Sequence, residues 1–117
     1  MKPWFMAAAA VSYMLASPAL AQTAFQAGGA TVSLSVTGTT ARAQVRTGPT
    51  SPNIRIYNSG TVAVFLVCGD VTAVATSAAG MPVAPGTVEI MGCNQQYVAG
   101  ISAGTAATVY LTPGTGL

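Results

Sequence analysis

A chain of 117 residues has room for one small domain, and only 5% of them are charged: Lys2, Arg42, Arg46, Arg55, Asp70 and Glu89, with no histidine. The formal net charge of +2 rests on isolated groups. It excludes the clustered Lys and Arg through which nucleic-acid binders release counterions. The same scarcity of titratable groups removes the usual general base, and it leaves a four-coordinate zinc site with no histidine to draw on.

Residues 1–21 (MKPWFMAAAAVSYMLASPALA) read as a secretory signal peptide. Lys2 precedes an apolar stretch over residues 4–15, followed by Pro18 and by the small residues Ala19 and Ala21 around Leu20. Cleavage is expected between Ala21 and Gln22. The apolar run falls short of the roughly 20 residues of a spanning helix, and Gln22 is not a lipid-modifiable cysteine. The leader thus predicts an exported chain, periplasmic or extracellular, with no stable membrane anchor once it is cut. Residues 22–117 then form a single domain.

In that domain the two-residue period of strands recurs and the helical period is absent. Residues 31–37 (TVSLSVT) set Val32, Leu34 and Val36 on one face against hydroxyls on the other. Residues 41–46 (ARAQVR) alternate in the same way. With residues 38–40 as a short turn, the two segments are expected to pair as a hairpin. Residues 47–52 (TGPTSP) form a loop, since glycine and two prolines oppose regular pairing.

Next, Ile54 and Ile56 alternate with Asn53, Arg55 and Tyr57, and Asn58, Ser59 and Gly60 suit a second hairpin loop. The return strand, residues 61–68, is apolar on both faces and predicts a position at the centre of the fold. Gly69 and Asp70 break it. Residues 71–77 read as a weaker strand and residues 78–86 as a loop held extended by Pro82 and Pro85. In residues 87–91 (TVEIM), Val88 and Ile90 are placed to pack, leaving Glu89 to solvent or to an arginine. Residues 96–102 and 107–112 supply the last strands, and PGTGL a tail or final turn.

Seven to eight short strands with regular turn signals describe an all-β fold, a small antiparallel β-sandwich or barrel after an N-terminal signal helix. Its core is expected to contain Val32, Leu34, Val36, Ile54, Ile56, Val64, Leu66, Val109 and Leu111. Cys68 and Cys93 form one disulfide if the chain is exported, or two buried thiols if it is not.

Chemistry is sparse. Asp70 after a glycine suits turn duty, and Glu89 lies mid-strand, so no catalytic pair, cofactor site or metal site is expected. Tyr57, Tyr97 and Tyr110 could share a stacking surface for sugar or base, although strand aromatics are usually packing elements. Arg42, Arg46 and Arg55 are expected along one solvated face. So apolar and weakly charged a chain predicts protein partners, copies of itself among them.

From Asn53 onward three segments stand out: NIRIYNSGTVAVFLVCGD, MPVAPGTVEIM and QYVAGISAGTAATVYLTPGTGL. They carry an R-I-x-N-x-G core, a P-x-x-P-G-x-x-E loop and a Y-V-A-x-I…Y-x-T-P-G-x-G-L finish. In this the chain resembles small β-rich structural proteins of tailed-phage and prophage modules. The resemblance implies a non-catalytic, virion-type part that packs against copies of itself or a capsid or tail surface. It departs from that group in its leader and in Cys68 and Cys93. Either the domain is recruited for export, or translation starts later, for example at Met14, and the chain is a virion component. The alternative is an exported pilin-like or adhesin-like sandwich, with residues 31–37 as a strand donor.

Overall fold

The structure, a computed structural model, describes residues 23–47 and 51–117; the expected leader and the cleavage site at Ala21 and Gln22 lie outside the described residues. The domain is all-β. Its strands are β1 (Gln26–Ala27), β2 (Val32–Val36), β3 (Ala41–Gln44), β4 (Asn53–Asn58), β5 (Val64–Gly69), β6 (Met81–Val83), β7 (Val88–Gly92), β8 (Tyr97–Ser102) and β9 (Ala107–Thr115).

Every pairing is antiparallel, and the strands form two sheets. In the five-stranded sheet, β9 lies between β4 on one side and β1 and β2, end to end, on the other; β7 completes it beyond β4. The second sheet runs β3-β8-β5-β6. The partners are nested: β5 with β6, β4 with β7, β3 with β8 and β2 with β9. This is one long antiparallel ribbon whose tip is the β5–β6 connection, rolled up so that β4 also meets β9 and β5 meets β8. That strand order is a jelly roll.

The rolling overturns both expected hairpins. β2 and β3 belong to opposite sheets, as do β4 and β5. Alternation fixes which face of a strand is buried but not which strand lies beside it. Facing sheets stand about 10 Å apart, a gap that the four residues 37–40 can cross at roughly 3.3 Å each. At this corner the Thr39 N–H donates to Thr37 Oγ1 (3.2 Å) and the Ser102 N–H to the Thr37 carbonyl (2.8 Å). The chain therefore turns across the sandwich instead of back on itself.

At the second corner Asn58 is fully buried and does the work assigned to a hairpin loop. Its Nδ2 donates to the Val62 and Val83 carbonyls (2.9 and 3.1 Å), and its Oδ1 accepts from the Gly60 N–H (2.9 Å). Asn58→Ala leaves these three groups without their partner. We expect it to cost about 2–3 kcal/mol, read as a lower urea midpoint with an unchanged slope.

The core between the sheets is built from the inward residues of both: Leu34, Val36, Ile54, Ile56, Val64, Leu66, Val83, Val98, Val109 and Leu111 are buried. All of these that the sequence named are confirmed, whereas Val32 is only half-buried at the edge. Gly100, in mid β8, lets the layers close. A Cβ there would sit 2.8 Å from the Leu66 side chain and within 3.4 Å of Val36 and Leu34.

Three further segments differ from expectation. Residues 71–77 form no strand. They begin a flap that crosses the outer face of the four-stranded sheet, where the Ala73 carbonyl accepts from Arg42 Nη1 (2.7 Å) and the Ala75 N–H donates to Thr40 Oγ1 (3.0 Å). Ala75 and, on the outer face of β8, Ala99 are buried, and Phe65 and Val67 half-buried. The two-sided apolarity of residues 61–68 therefore reflects an interior strand with a covered outer face. β6 lies inside the expected loop 78–86. The finish PGTGL extends β9, where Gly114 pairs with Ala27 of β1.

Candidate functional site

Because strand side chains alternate, each sheet has an outer face that the core does not use. On the five-stranded sheet the register sets Ser33, Tyr110, Tyr57 and Val88 in one row across β2, β9, β4 and β7. The next row carries Thr112, Arg55 and Ile90. Tyr57, Tyr110 and Val88 are 38%, 41% and 43% exposed, large values for apolar-bodied side chains in paired strands. The two tyrosine rings stack, with centroids 6.2 Å apart and planes 16° from parallel. Such a cross-strand pair contributes about 0.5–1.5 kcal/mol beyond area burial and holds both rings in place. Thr31 and Thr112 join by their hydroxyls at 2.7 Å beside them.

No known protein family, characterised protein or solved structure matches this chain.

This outer face corrects several expectations. Val88 and Ile90 do not pack inward; Met91 does, because Met91 pairs with Ile54 on the core side. Glu89 pairs with Ile56 on that same inner side, yet it lies exposed at the sheet edge. A charge pointing inward along an edge strand obstructs pairing with another chain. Tyr97 sits in the other sheet, so only two of the three tyrosines share a surface.

The three arginines also separate. Arg55 lies on the tyrosine face and Arg42 on the flap side of the other sheet. Arg46 is buried among carbonyls. Its Nη1 donates to the Cys93 and Gln95 carbonyls (2.8 and 2.6 Å), and its Nη2 to Ser51 Oγ and the Asn53 carbonyl (3.2 and 3.3 Å). Nε has no partner among the described residues. Burial pulls the guanidinium pKa below its ordinary value. Alternation gave no warning of this, since it places Arg46 opposite Val45, and both are in fact buried beyond the end of β3.

Cys68 and Cys93 are joined by a disulfide, with Cα atoms 5.6 Å apart. Cys68 is the penultimate residue of β5 in the four-stranded sheet and Cys93 directly follows β7 of the other, so the bond ties the two layers together. Asp70, just past Cys68, closes a turn: Oδ1 accepts from the Thr72 N–H (2.8 Å) and hydroxyl (2.6 Å). These bonds lower its pKa. Whatever stability they lend is present above the ordinary carboxylate range and is lost as pH falls through the lowered value.

Between these segments opens a cleft of about 410 Å³ lined by Asp70, Val71, Gln95, Gln96 and Tyr97. Glu89 is not part of it, so the two acids do not face each other there. Among the described residues, no three His, Cys, Asp or Glu side chains gather as a metal site, and no helix is long and apolar enough to cross a membrane.

Proposed function

We propose that this chain is a non-catalytic structural module, of the phage or prophage virion type its sequence resembles, acting through surface contacts with copies of itself or neighbouring proteins. The observation that carries this reading is the exposed Tyr57–Tyr110 pair with Val88 on the outer face of the five-stranded sheet. Tyrosine is enriched in protein interfaces, where its apolar body and polar tip both find partners. Arg55 is the one charge on these rows, so two such faces meet with little repulsion. Jelly rolls serve as capsid and lectin domains, an analogy at the level of fold alone.

The test is sedimentation velocity over a range of concentrations. The native protein is expected to associate as concentration rises, and Tyr57→Ser with Tyr110→Ser to stay monomeric while keeping its fold. A native protein that remains monomeric throughout, and does not co-sediment with phage particles, contradicts the reading.

A second reading, an exported pilin-like or adhesin-like sandwich, draws on the edges. β3 carries Arg42, β6 carries Pro82 and β7 carries Glu89, all devices that discourage edge pairing. β2 carries only Val, Ser and Leu, so this edge is open to strand exchange. The disulfide accords with an oxidising compartment. Intact mass under non-reducing conditions separates the readings: cleavage after Ala21 with the disulfide formed favours export, and a longer or later-starting reduced chain favours a virion part.

A further inference from the structure

An open cleft lies beside the disulfide, with Asp70, Val71 and Gln95 exposed and Gln96 and Tyr97 half-buried along it. Its two walls are the segments that follow the two cysteines: Asp70 and Val71 after Cys68, and Gln95, Gln96 and Tyr97 after Cys93. The disulfide fixes both walls at their roots. Arg46 grips the second wall through the Cys93 and Gln95 carbonyls, and the Val45 N–H donates to the Gln96 carbonyl (2.8 Å). Gln44 Nε2 donates to the Arg46 carbonyl (3.2 Å) and to Gln96 Oε1 (3.5 Å). The Gln96 oxygen is thereby engaged, which leaves its NH₂ as the free end. The Thr72 bonds engage Asp70 Oδ1 and leave Oδ2 as a free acceptor. One of the two side-chain carboxylates in the sequence, Asp70, lines this opening, while the buried Arg46 stays outside the lining and acts on its second wall only through the backbone.

We propose that this cleft binds a neutral sugar residue. The volume of about 410 Å³ lies within the range of small-molecule sites. Tyr97 supplies a ring whose face suits the C–H surface of a pyranose and whose hydroxyl can share a hydrogen bond. Asp70 Oδ2 accepts from sugar hydroxyls in a charge-assisted bond, the Gln96 NH₂ donates, and the Gln95 side chain donates and accepts. The lining holds no cation, which disfavours phosphates and carboxylates. An ammonium ligand would satisfy Asp70 but leave the Gln96 NH₂ donor facing another donor. Hydroxyl oxygens meet both. With its walls already held, the site spends little of its binding free energy on ordering. Because it lies on a different part of the fold from the tyrosine pair, binding here stands or falls separately from self-contact through that pair.

The test is a titration of the full, oxidised chain with D-glucose, D-galactose, D-mannose and N-acetylglucosamine, followed by amide and side-chain NMR shifts. At least one sugar is expected to saturate in the millimolar range, moving the Gln95 and Gln96 NH₂ signals and the Tyr97 ring. Tyr97→Ala should abolish the shifts with the rest of the spectrum unchanged. Asp70→Asn, which keeps a turn-forming side chain, should weaken binding about tenfold. Tyr110→Ala should leave binding as it was. The proposal is overturned if none of the four sugars moves these signals, if inorganic phosphate or ethylammonium moves them and the sugars do not, or if Tyr97→Ala binds as well as the native protein.

Discussion

Ile56→Asp is expected to abolish folding, and Ile56→Ala to cost about 2–5 kcal/mol. Ile56 is fully buried in β4, beside Leu111 of β9, and belongs to the layer of side chains shared by both sheets. Its other register partner, Glu89, lies exposed, and no described cation pairs with either position to neutralise a new carboxylate. An aspartate would enter the core charged and unpaired, or protonated at a cost that a domain with only about 5–15 kcal/mol of stability cannot meet. Circular dichroism and the dispersion of the amide spectrum check the first variant, and urea unfolding the second. A folded Ile56→Asp protein would mean that β4 does not occupy the middle of the five-stranded sheet.

Replacing Cys68 and Cys93 together with serine is expected to cost about 3–4 kcal/mol. Loop-closure entropy for a sequence separation of 25 residues gives that size. The loss should exceed that of most single substitutions, because the bond closes the segment holding the β5–β6 tip, all of β6 and all of β7. Its removal should also loosen the loop that Arg46 holds, since the Cys93 carbonyl is one of that side chain's four acceptors. Thermal unfolding with and without reductant reads the effect in the native chain, and the double serine variant reads it without reagents. A melting temperature insensitive to both would show that the sheets stay together without this link.

Much of the fold was legible in the residues, for a stated physical reason. Alternation reports burial one side chain at a time, so Leu34, Val36, Ile54, Ile56, Val109 and Leu111 were placed correctly from spacing alone. The even cysteine count, read together with the expected leader, pointed to the disulfide. Partner choice was not legible. Residues 38–40 and 58–60 have the composition of hairpin turns, yet corners between facing sheets also need short, polar, glycine-bearing segments, and nothing local separates the two. The two-sided apolarity of β5 was visible, but its cause, a flap over the outer face, depends on Arg42 and Thr40 some thirty residues earlier.

The site was less legible still. Tyr57 and Tyr110 were noted, but their stacking follows from β4 pairing with β9, a contact between segments more than fifty residues apart. Val88 and Ile90 read as core residues because they are apolar. The register gives the inner side to Met91 and Glu89 instead. Arg46 reads as one of three surface arginines until the chain beyond β3 is seen to turn it toward the Cys93 and Gln95 carbonyls.

The most direct measurement is an amide NMR spectrum of the native protein recorded over a wide range of concentrations. If the outer face of the five-stranded sheet is the contact surface, the signals of Ser33, Arg55, Tyr57, Val88, Tyr110 and Thr112 shift or broaden together as concentration rises, while those of the flap residues Val71 and Val74 stay fixed. Shifts confined to the flap, or to the free edge at β2 with the tyrosine rows unmoved, would contradict it.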